Sequence, residues 1–241
     1  MKFLIVATQR SGTIMLTAFL NSHPELKCYA EEGTSFLAKL KNNEGSNLKY
    51  NQITDDTDLK DFKILHLVRK DLQALSLSKV INKHKKRYGR PDHIFKSTKK
   101  EDLEFPMSDS LPKKEKFLSA LSSYTKSSYS GKNEITISPF ELFRKMYSSY
   151  RQVSKWLKTL KKYDTMTISY EDITKGGEVN VVPQGIADEI CEFLGVEKRE
   201  LTTSMQKVNP KNYEEYILNW NIIKKVGQGL IQKHKEKISN N

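Results

Sequence analysis

Two short segments of the sequence carry side chains that bind anions, and the first is the polar turn Thr8–Thr13 (TQRSGT). An apolar run precedes it, and apolar residues at helical spacing follow it. The N–H groups of such a turn and of the following helix converge on a place that favours negative charge. Gly12 permits close backbone approach, Ser11 and Thr13 offer hydroxyls, and Arg10 adds a charged fork suited to phosphate or sulfate. The segment predicts an anion site, with a simple capped β-to-α turn as the alternative interpretation.

The second segment, Lys63–Arg69 (KILHLVR), predicts a strand that delivers an arginine to the edge of a sheet. Ser76 follows Arg69 by seven residues, which is about two helical turns. Together, an arginine and a helix hydroxyl could hold a second phosphate. Serines exposed to solvent on a helix flank are the simpler interpretation of the same pattern.

The elements that would position these residues alternate between strands and helices. Buried strands are expected at 3–8, 62–68 and 166–169, with shorter candidates at 26–30 and 134–137. Helices are expected after Thr13 and at 71–81, 114–124, 141–163, 186–194, 212–223 and 230–238. This alternation predicts an α/β fold of the P-loop type, with a mostly parallel sheet and helices on both faces. We expect a single domain over 1–241 with a polar insertion at about 85–132, and a surface excursion at 42–61.

Composition restricts the class of protein further. The chain has 241 residues, of which 37% are hydrophobic, so it can bury a core. No apolar run approaches the roughly 20 residues of a membrane span. The two cysteines give neither a disulfide framework nor metal-ligand spacing, which favours a cytoplasmic protein without a metal. A net charge of +12 favours anionic partners without choosing among them.

Two other functions compete for the same features. A P-loop kinase would need the G-x-x-x-x-G-K-[ST] pattern, but no glycine precedes Gly12 at that spacing, and Ile14 stands where a Lys-Ser/Thr pair would be needed. The absence of an acidic strand end for magnesium argues against it as well. A polyanion or nucleic-acid module would account for the charge, but no recognised nucleic-acid motif accompanies it, so we do not expect nucleic acid as a partner.

The turn also resembles a known loop. Thr8–Thr13 is similar to the 5′-phosphosulfate loop of sulfotransferases, often written Arg-Ser-Gly-Thr-Thr or Lys-Ser-Gly-Thr-Thr. The spacing over Leu20–Glu32 resembles that of bacterial carbohydrate sulfotransferases and tyrosylprotein sulfotransferases. The resemblance implies an enzyme that uses 3′-phosphoadenosine 5′-phosphosulfate (PAPS) and leaves 3′-phosphoadenosine 5′-phosphate (PAP). The residues implied to bind the donor are Gln9, Arg10, Ser11, Gly12, Thr13 and Ile14. Ile14 replaces a usual second threonine, which removes one hydroxyl contact but leaves the backbone cradle.

Further segments extend the resemblance along the chain. In the family, an arginine like Arg69 and a serine like Ser76 bind the 3′-phosphate. The usual spacing is about one residue longer, which keeps Ser78 as an alternative. Weaker similarities lie at 168–173 (ISYEDI), 192–196 (EFLGV), 207–210 (KVNP) and 219–220 (NW). The resemblance skips about 85–132, where acceptor specificity is expected.

The resemblance also implies a mechanism, namely metal-free in-line transfer of a sulfuryl group to a hydroxyl or amine acceptor, with a carbohydrate expected. Arg10 would neutralise charge on the leaving phosphate. Glu31 lies 21 residues after Arg10, the offset of the catalytic glutamate in tyrosylprotein sulfotransferases. Glu31 is therefore the expected base, and Glu32 is the near-equal alternative. His23 titrates near neutrality, but it precedes a helix-ending proline, so a packed or capping role is the preferred interpretation.

Overall fold

The computed structural model describes residues 1–30, 32–54, 56–87, 95–96, 137–174, 180–204, 206–207, 213–215, 217 and 219–240. The strands are β1 (Lys2–Ala7), β2 (Lys27–Tyr29), β3 (Glu44–Lys49), β4 (Phe62–Val68), β5 (Phe95–Lys96), β6 (Thr165–Ser169) and β7 (Gln206–Lys207). The α-helices are α1 (Thr13–Asn21), α2 (Leu72–Arg87), α3 (Pro139–Thr159), α4 (Tyr170–Ile173), α5 (Gln184–Leu194), α6 (Trp220–Ile223) and α7 (Gln228–Ser239). Short 3₁₀ helices lie at Thr34–Lys39, Tyr50–Gln52, Leu160–Lys162 and Tyr213–Glu215.

Five strands form one parallel sheet in the order β2-β3-β1-β4-β6, and β5 pairs with β7 in a separate antiparallel ribbon. The central strand β1 is apolar throughout its length after Lys2, as expected of a strand covered on both faces. In register, Ile5 lies opposite Asn47 of β3 and Leu65 of β4. All five strands end at one edge, where ligands of parallel sheets bind.

Helices cover both faces of this sheet. Phe3 and Ile5 point toward α1 and α5, where Leu16 and Ile190 complete one core. Leu4 and Val6 point to the other face, where α3 contributes Val153, Trp156 and Leu157. The expected α/β fold with a parallel sheet between two helical layers is confirmed.

One expectation was wrong, because 42–61 is not a surface excursion. It contains β3, which lies between β2 and β1 with Gly45, Ser46, Asn47 and Leu48 all buried. A Cβ atom on Gly45 would lie 2.2 Å from Cε2 of Phe3, so the glycine allows the Phe3 ring to cover the strand. Asn47 Nδ2 donates to Thr17 Oγ1 over 3.4 Å. Small polar residues satisfied in this way hide a central strand from hydrophobicity patterns.

The other expected elements differ mainly at their ends. Over 212–223 the described residues form two short helices rather than one continuous helix. Of the expected insertion at 85–132, the structure describes only 85–87, at the end of α2, and 95–96; the helix expected at 114–124 lies outside the described residues. Of the possible strand at 134–137 it describes only Ile137, which is not in a strand. None of the described helices has the length and apolar character needed to cross a membrane.

Candidate anion-binding site

The turn after β1 is held in an uncommon backbone conformation. Arg10 has φ of 69° and Gly12 has φ of 97°, both in the left-handed region. A Cβ at Gly12 would lie 2.4 Å from Cδ2 of Tyr170, so only glycine fits between the turn and that ring. Helix α1 begins at Thr13 with no side-chain cap and no acidic residue in its first turn. Its first N–H groups therefore remain available to an anion.

Ser11 and Arg10 give this turn its polar character. The Ser11 side chain is fully buried, and its Oγ has no hydrogen-bond partner among the described residues. Arg10 Nε donates to Ser78 Oγ on α2 over 3.0 Å. Arg10 holds a left-handed φ that costs a non-glycine residue about 1–2 kcal/mol. Strain and an unpaired buried hydroxyl in neighbouring residues are typical of a ligand site.

Arg69, at the end of β4, faces the turn. It is 8% exposed, and Nη1 donates to the Arg10 carbonyl over 3.5 Å. Its guanidinium lies 4.8 Å from the centre of the Tyr170 ring, and its Nε is 3.9 Å from a Glu171 oxygen. That Nε makes no hydrogen bond within the described part of the chain. The structure thus brings Arg10 and Arg69 together at one edge of the sheet.

Helix α7 fixes the backbone of Arg69 through a hydrogen bond from His234. The buried His234 hydrogen-bonds through Nε2 to the Arg69 carbonyl over 2.9 Å, and burial lowers the pKa of His234. Because the neutral ring donates from Nε2, the backbone of Arg69 is fixed by a residue 165 positions away.

The two candidate serines of α2 have different surroundings. Ser78 is 8% exposed and accepts from Arg10, so it faces the turn. Ser76 is fully buried, and its Oγ has no partner among the described residues. Side chains two positions apart on an α-helix, like those of Ser76 and Ser78, point in directions about 200° apart. The serines therefore cannot both face the turn, and the one that does is Ser78, the alternative.

A network of satisfied charges anchors the start of α2. The Glu171 carboxylate accepts from the Lys70 and Asp71 N–H groups over 2.8 and 3.0 Å, and Lys70 Nζ lies 2.9 Å from Asp172 Oδ1. Ser169 caps α4 by accepting from Asp172 N. We call Ser169–Asp172 with Lys70 the anchor network.

Lys79 lies near the turn and opens a basic run that extends to Arg90, a pattern that a solvated helix face and an anion contact explain equally well. Its Nζ donates to Thr8 Oγ1 over 2.9 Å and to Ser149 Oγ on α3 over 3.0 Å. Thr8 Oγ1 in turn donates to Gln152 Oε1 over 3.3 Å. Burial, and secondarily the charge of Lys145, lower the pKa of Lys79 to about 8. The basic run did not distinguish Lys79 from its neighbours, because only the packing of α2 against α3 gives Lys79 these partners.

The remaining predicted site residues lie as follows. Gln9 is exposed, whereas Thr13 and Ile14 are buried at the start of α1. Glu32 is buried near the carboxyl end of β2, and Glu31 lies outside the described residues. Both ring nitrogens of His23 are occupied, Nε2 by the Glu197 carbonyl and Nδ1 by the Glu25 N–H.

The described side chains contain no group of three or more histidine, cysteine or acidic residues that could hold a metal ion.

Among known proteins, the similarities found are distant and structural. No protein-family model matches the chain, and no curated protein matches it. The crystal structure of mouse sulfotransferase SULT7A1 complexed with PAP aligns with 98% of this chain and 63% of that chain, at 14% sequence identity and a TM-score of 0.46. This chain thus spans less than two thirds of that protein's length. The function proposed below rests on the contacts within the site itself.

Proposed function

We propose that the chain is a sulfotransferase that takes a sulfuryl group from PAPS and binds this donor at the turn after β1. The observation that carries the proposal is the convergence of Arg10, Arg69 and the Ser11 hydroxyl at the start of α1. This hydroxyl is fully buried and has no partner among the described residues, and Gly12 provides no side-chain cap for the helix. Guanidinium groups, a hydroxyl and free N–H groups are all donors. A site composed of donors suits a ligand whose groups are oxyanions.

The residues present fit a nucleotide with phosphates at two positions. Backbone N–H groups at the start of α1 and the Ser11 hydroxyl would hold the 5′-phosphosulfate end. Arg69 and Ser78 would hold the 3′-phosphate, with Ser78 preferred to Ser76 because Ser78 faces Arg10. A buried hydroxyl without a partner costs about 1–3 kcal/mol, which a ligand oxygen would recover.

Charge stabilisation at this turn is the main catalytic task of the chain. PAPS supplies an activated sulfuryl group with a phosphate leaving group. Arg10 would neutralise the charge that develops on that leaving oxygen, because its guanidinium is held beside the turn by Ser78. The backbone of the turn is fixed by Arg69 and by the close Tyr170 ring, so the donors are aligned before the reaction.

Glu31 is the proposed base for the acceptor hydroxyl or amine, with Glu32 as the alternative. The two follow β2, whose carboxyl end lies at the same edge of the sheet as the turn. His23 is not proposed, since its ring nitrogens are both engaged. Glu31→Gln should lower turnover by about 10²-fold or more while PAP still binds, because glutamine keeps the size of the side chain and removes the proton acceptor. Steady-state rates with PAP binding by calorimetry check this.

Glu32→Gln is the matched control for that variant. If only Glu32→Gln loses activity, the base is Glu32. Normal turnover in both variants would contradict the assignment of the base to this segment, while leaving the donor site untouched.

Thermal unfolding with nucleotides tests the proposed function directly. PAP should raise Tm in the absence of magnesium, and adenosine 5′-phosphate, which lacks the 3′-phosphate, should raise it less. Stabilisation by ATP only in the presence of magnesium would indicate a kinase instead. Stabilisation by oligonucleotides alone would indicate a nucleic-acid-binding module, which the net charge of +12 permits.

An assay with labelled PAPS and different acceptors tests the acceptor class. We propose a carbohydrate hydroxyl as the acceptor and expect transfer to saccharides. Transfer to phenols or tyrosine peptides alone would contradict the carbohydrate assignment but not the proposed donor.

A further inference from the structure

A half-buried cation, Lys79, lies beside the turn but on the other face of the sheet. Thr8 continues the alternation of Leu4 and Val6, which point toward α3, and it contacts Gln152 of that helix. Gly12, by contrast, packs against Tyr170 in the core on the α1 side. Lys79 binds Thr8 and therefore lies on the α3 side of the sheet edge, apart from the donor groups of the turn.

The environment of Lys79 supplies dipoles but no negative charge. Two of its three N–H donors go to the neutral hydroxyls of Thr8 and Ser149. Among the described residues, no carboxylate forms an ion pair with it, and the charge that acts on it most is the positive charge of Lys145. A buried charge without a partner of opposite sign is costly and is normally paired or neutralised. Lys79 therefore has a second cation near it and, among the described residues, no carboxylate paired with it.

We propose that Lys79, together with Lys145 and the Ser149 hydroxyl, forms a second oxyanion site that takes a sulfate- or phosphate-like group beside the turn. Since it deepens the proposed function, it rests on that function for its biological role. The oxyanion has two possible sources, the donor nucleotide itself or a second anionic group that arrives with the acceptor. In either case the ammonium offers its third N–H and an uncompensated charge, while Ser149 fixes its direction.

The lowered pKa of Lys79 gives a residue-specific readout. A bound oxyanion favours the charged ammonium and raises the pKa of Lys79. Only the neutral amine reacts with acylating reagents, so each unit of increase should slow acylation at pH 7 about tenfold. Acetylation by an N-hydroxysuccinimide ester, quantified at Lys79 by peptide mass spectrometry, measures this directly. Exposed Lys155 on the same helix as Lys145 is the control, and its rate should not change.

The choice of added ligand distinguishes the two possible sources of the oxyanion. Slower acylation of Lys79 with PAP alone would assign the group to the donor nucleotide. Slower acylation only when inorganic sulfate is also present would assign it to a second anion on the acceptor side. If neither PAP nor sulfate, nor both together, slows acylation of Lys79, the proposal is overturned.

Two substitutions provide a second measurement. Inorganic sulfate should raise Tm of the wild-type chain and of Lys79→Arg by similar amounts, but raise Tm of Lys79→Met clearly less. Equal sulfate stabilisation of all three would overturn the site. PAP stabilisation in the same series keeps the two proposals separable: a Tm shift with PAP, with Lys79 protected by neither PAP nor sulfate, defeats only this inference, and protection by sulfate without any Tm shift with PAP defeats only the proposed function.

Discussion

The turn after β1 and the anchor network after β6 are both polar strand ends at the same edge of one sheet, yet they treat their polar groups in opposite ways. Each carboxylate of the anchor network has hydrogen-bond donors nearby, from two N–H groups at Glu171 to the Lys70 ammonium at Asp172. The turn instead leaves the Ser11 hydroxyl buried without a partner among the described residues, and Arg10 strained. The anchor network is thus satisfied within the fold, whereas the Ser11 hydroxyl is left for a ligand to satisfy.

The largest effect should come from removing the charge of the turn. Arg10→Ala should reduce turnover by about 10²–10³-fold, the usual effect of deleting one preorganised donor. Arg10→Gly should lose the same activity but unfold at a higher urea concentration than Arg10→Ala, because glycine adopts a φ of 69° without the strain of a Cβ. Activity assays and urea unfolding of the pair measure both quantities. Equal stability of the two variants would contradict the left-handed conformation at this position.

An intermediate effect on stability alone is expected in the anchor network. Glu171→Gln should lower the free energy of unfolding by about 2 kcal/mol, because two backbone N–H groups lose a charged acceptor. Donor affinity should change far less than it does in Arg10→Ala. The matched control is Glu192→Gln on α5, whose carboxylate pairs with Lys198 at the surface and should contribute little to stability. A larger loss of PAP affinity than of stability in Glu171→Gln would break the distinction between the two regions.

The smallest expected effect, that of Ser11→Ala, is the most direct test of the difference between the turn and the anchor network. Ser11→Ala removes a hydroxyl that has no partner among the described residues, so the free energy of unfolding should stay within about 0.5 kcal/mol of the wild-type value or rise. PAP affinity should fall by about tenfold, the value of one lost hydrogen bond to a charged group. Calorimetry and urea unfolding separate the two changes. Unchanged affinity together with lower stability would show that Ser11 serves the fold rather than a ligand.

The sequence predicted the apolar part of this molecule well and the polar part only locally. Strand β4 was expected at its observed bounds, Phe62–Val68, because a continuous apolar run has few other structures open to it. Strand β3 was missed, since Gly45 and Asn47 gain their burial from Phe3 and Thr17 rather than from their own hydrophobicity.

The same limit applies to the site. The meeting of Arg10 with Arg69 followed from the rule that parallel strands end at one edge. The choice between Ser76 and Ser78 depended on how α2 is rotated about its axis. The contacts of Lys79 depended on how α2 packs against α3. Residue spacing within one segment predicts neither. Whether Glu31 acts as the base stays a prediction from the family resemblance.

The hydrogen bond from His234 to the Arg69 carbonyl has a consequence for the order of synthesis. The turn and β4 leave the ribosome early, whereas α7 is translated 165 positions after Arg69. A nascent chain could therefore assemble β1, β3 and β4 before the support for Arg69 exists. Because contacts of such long sequence separation form late, the nucleotide site should mature at the end of folding, after the sheet that carries it.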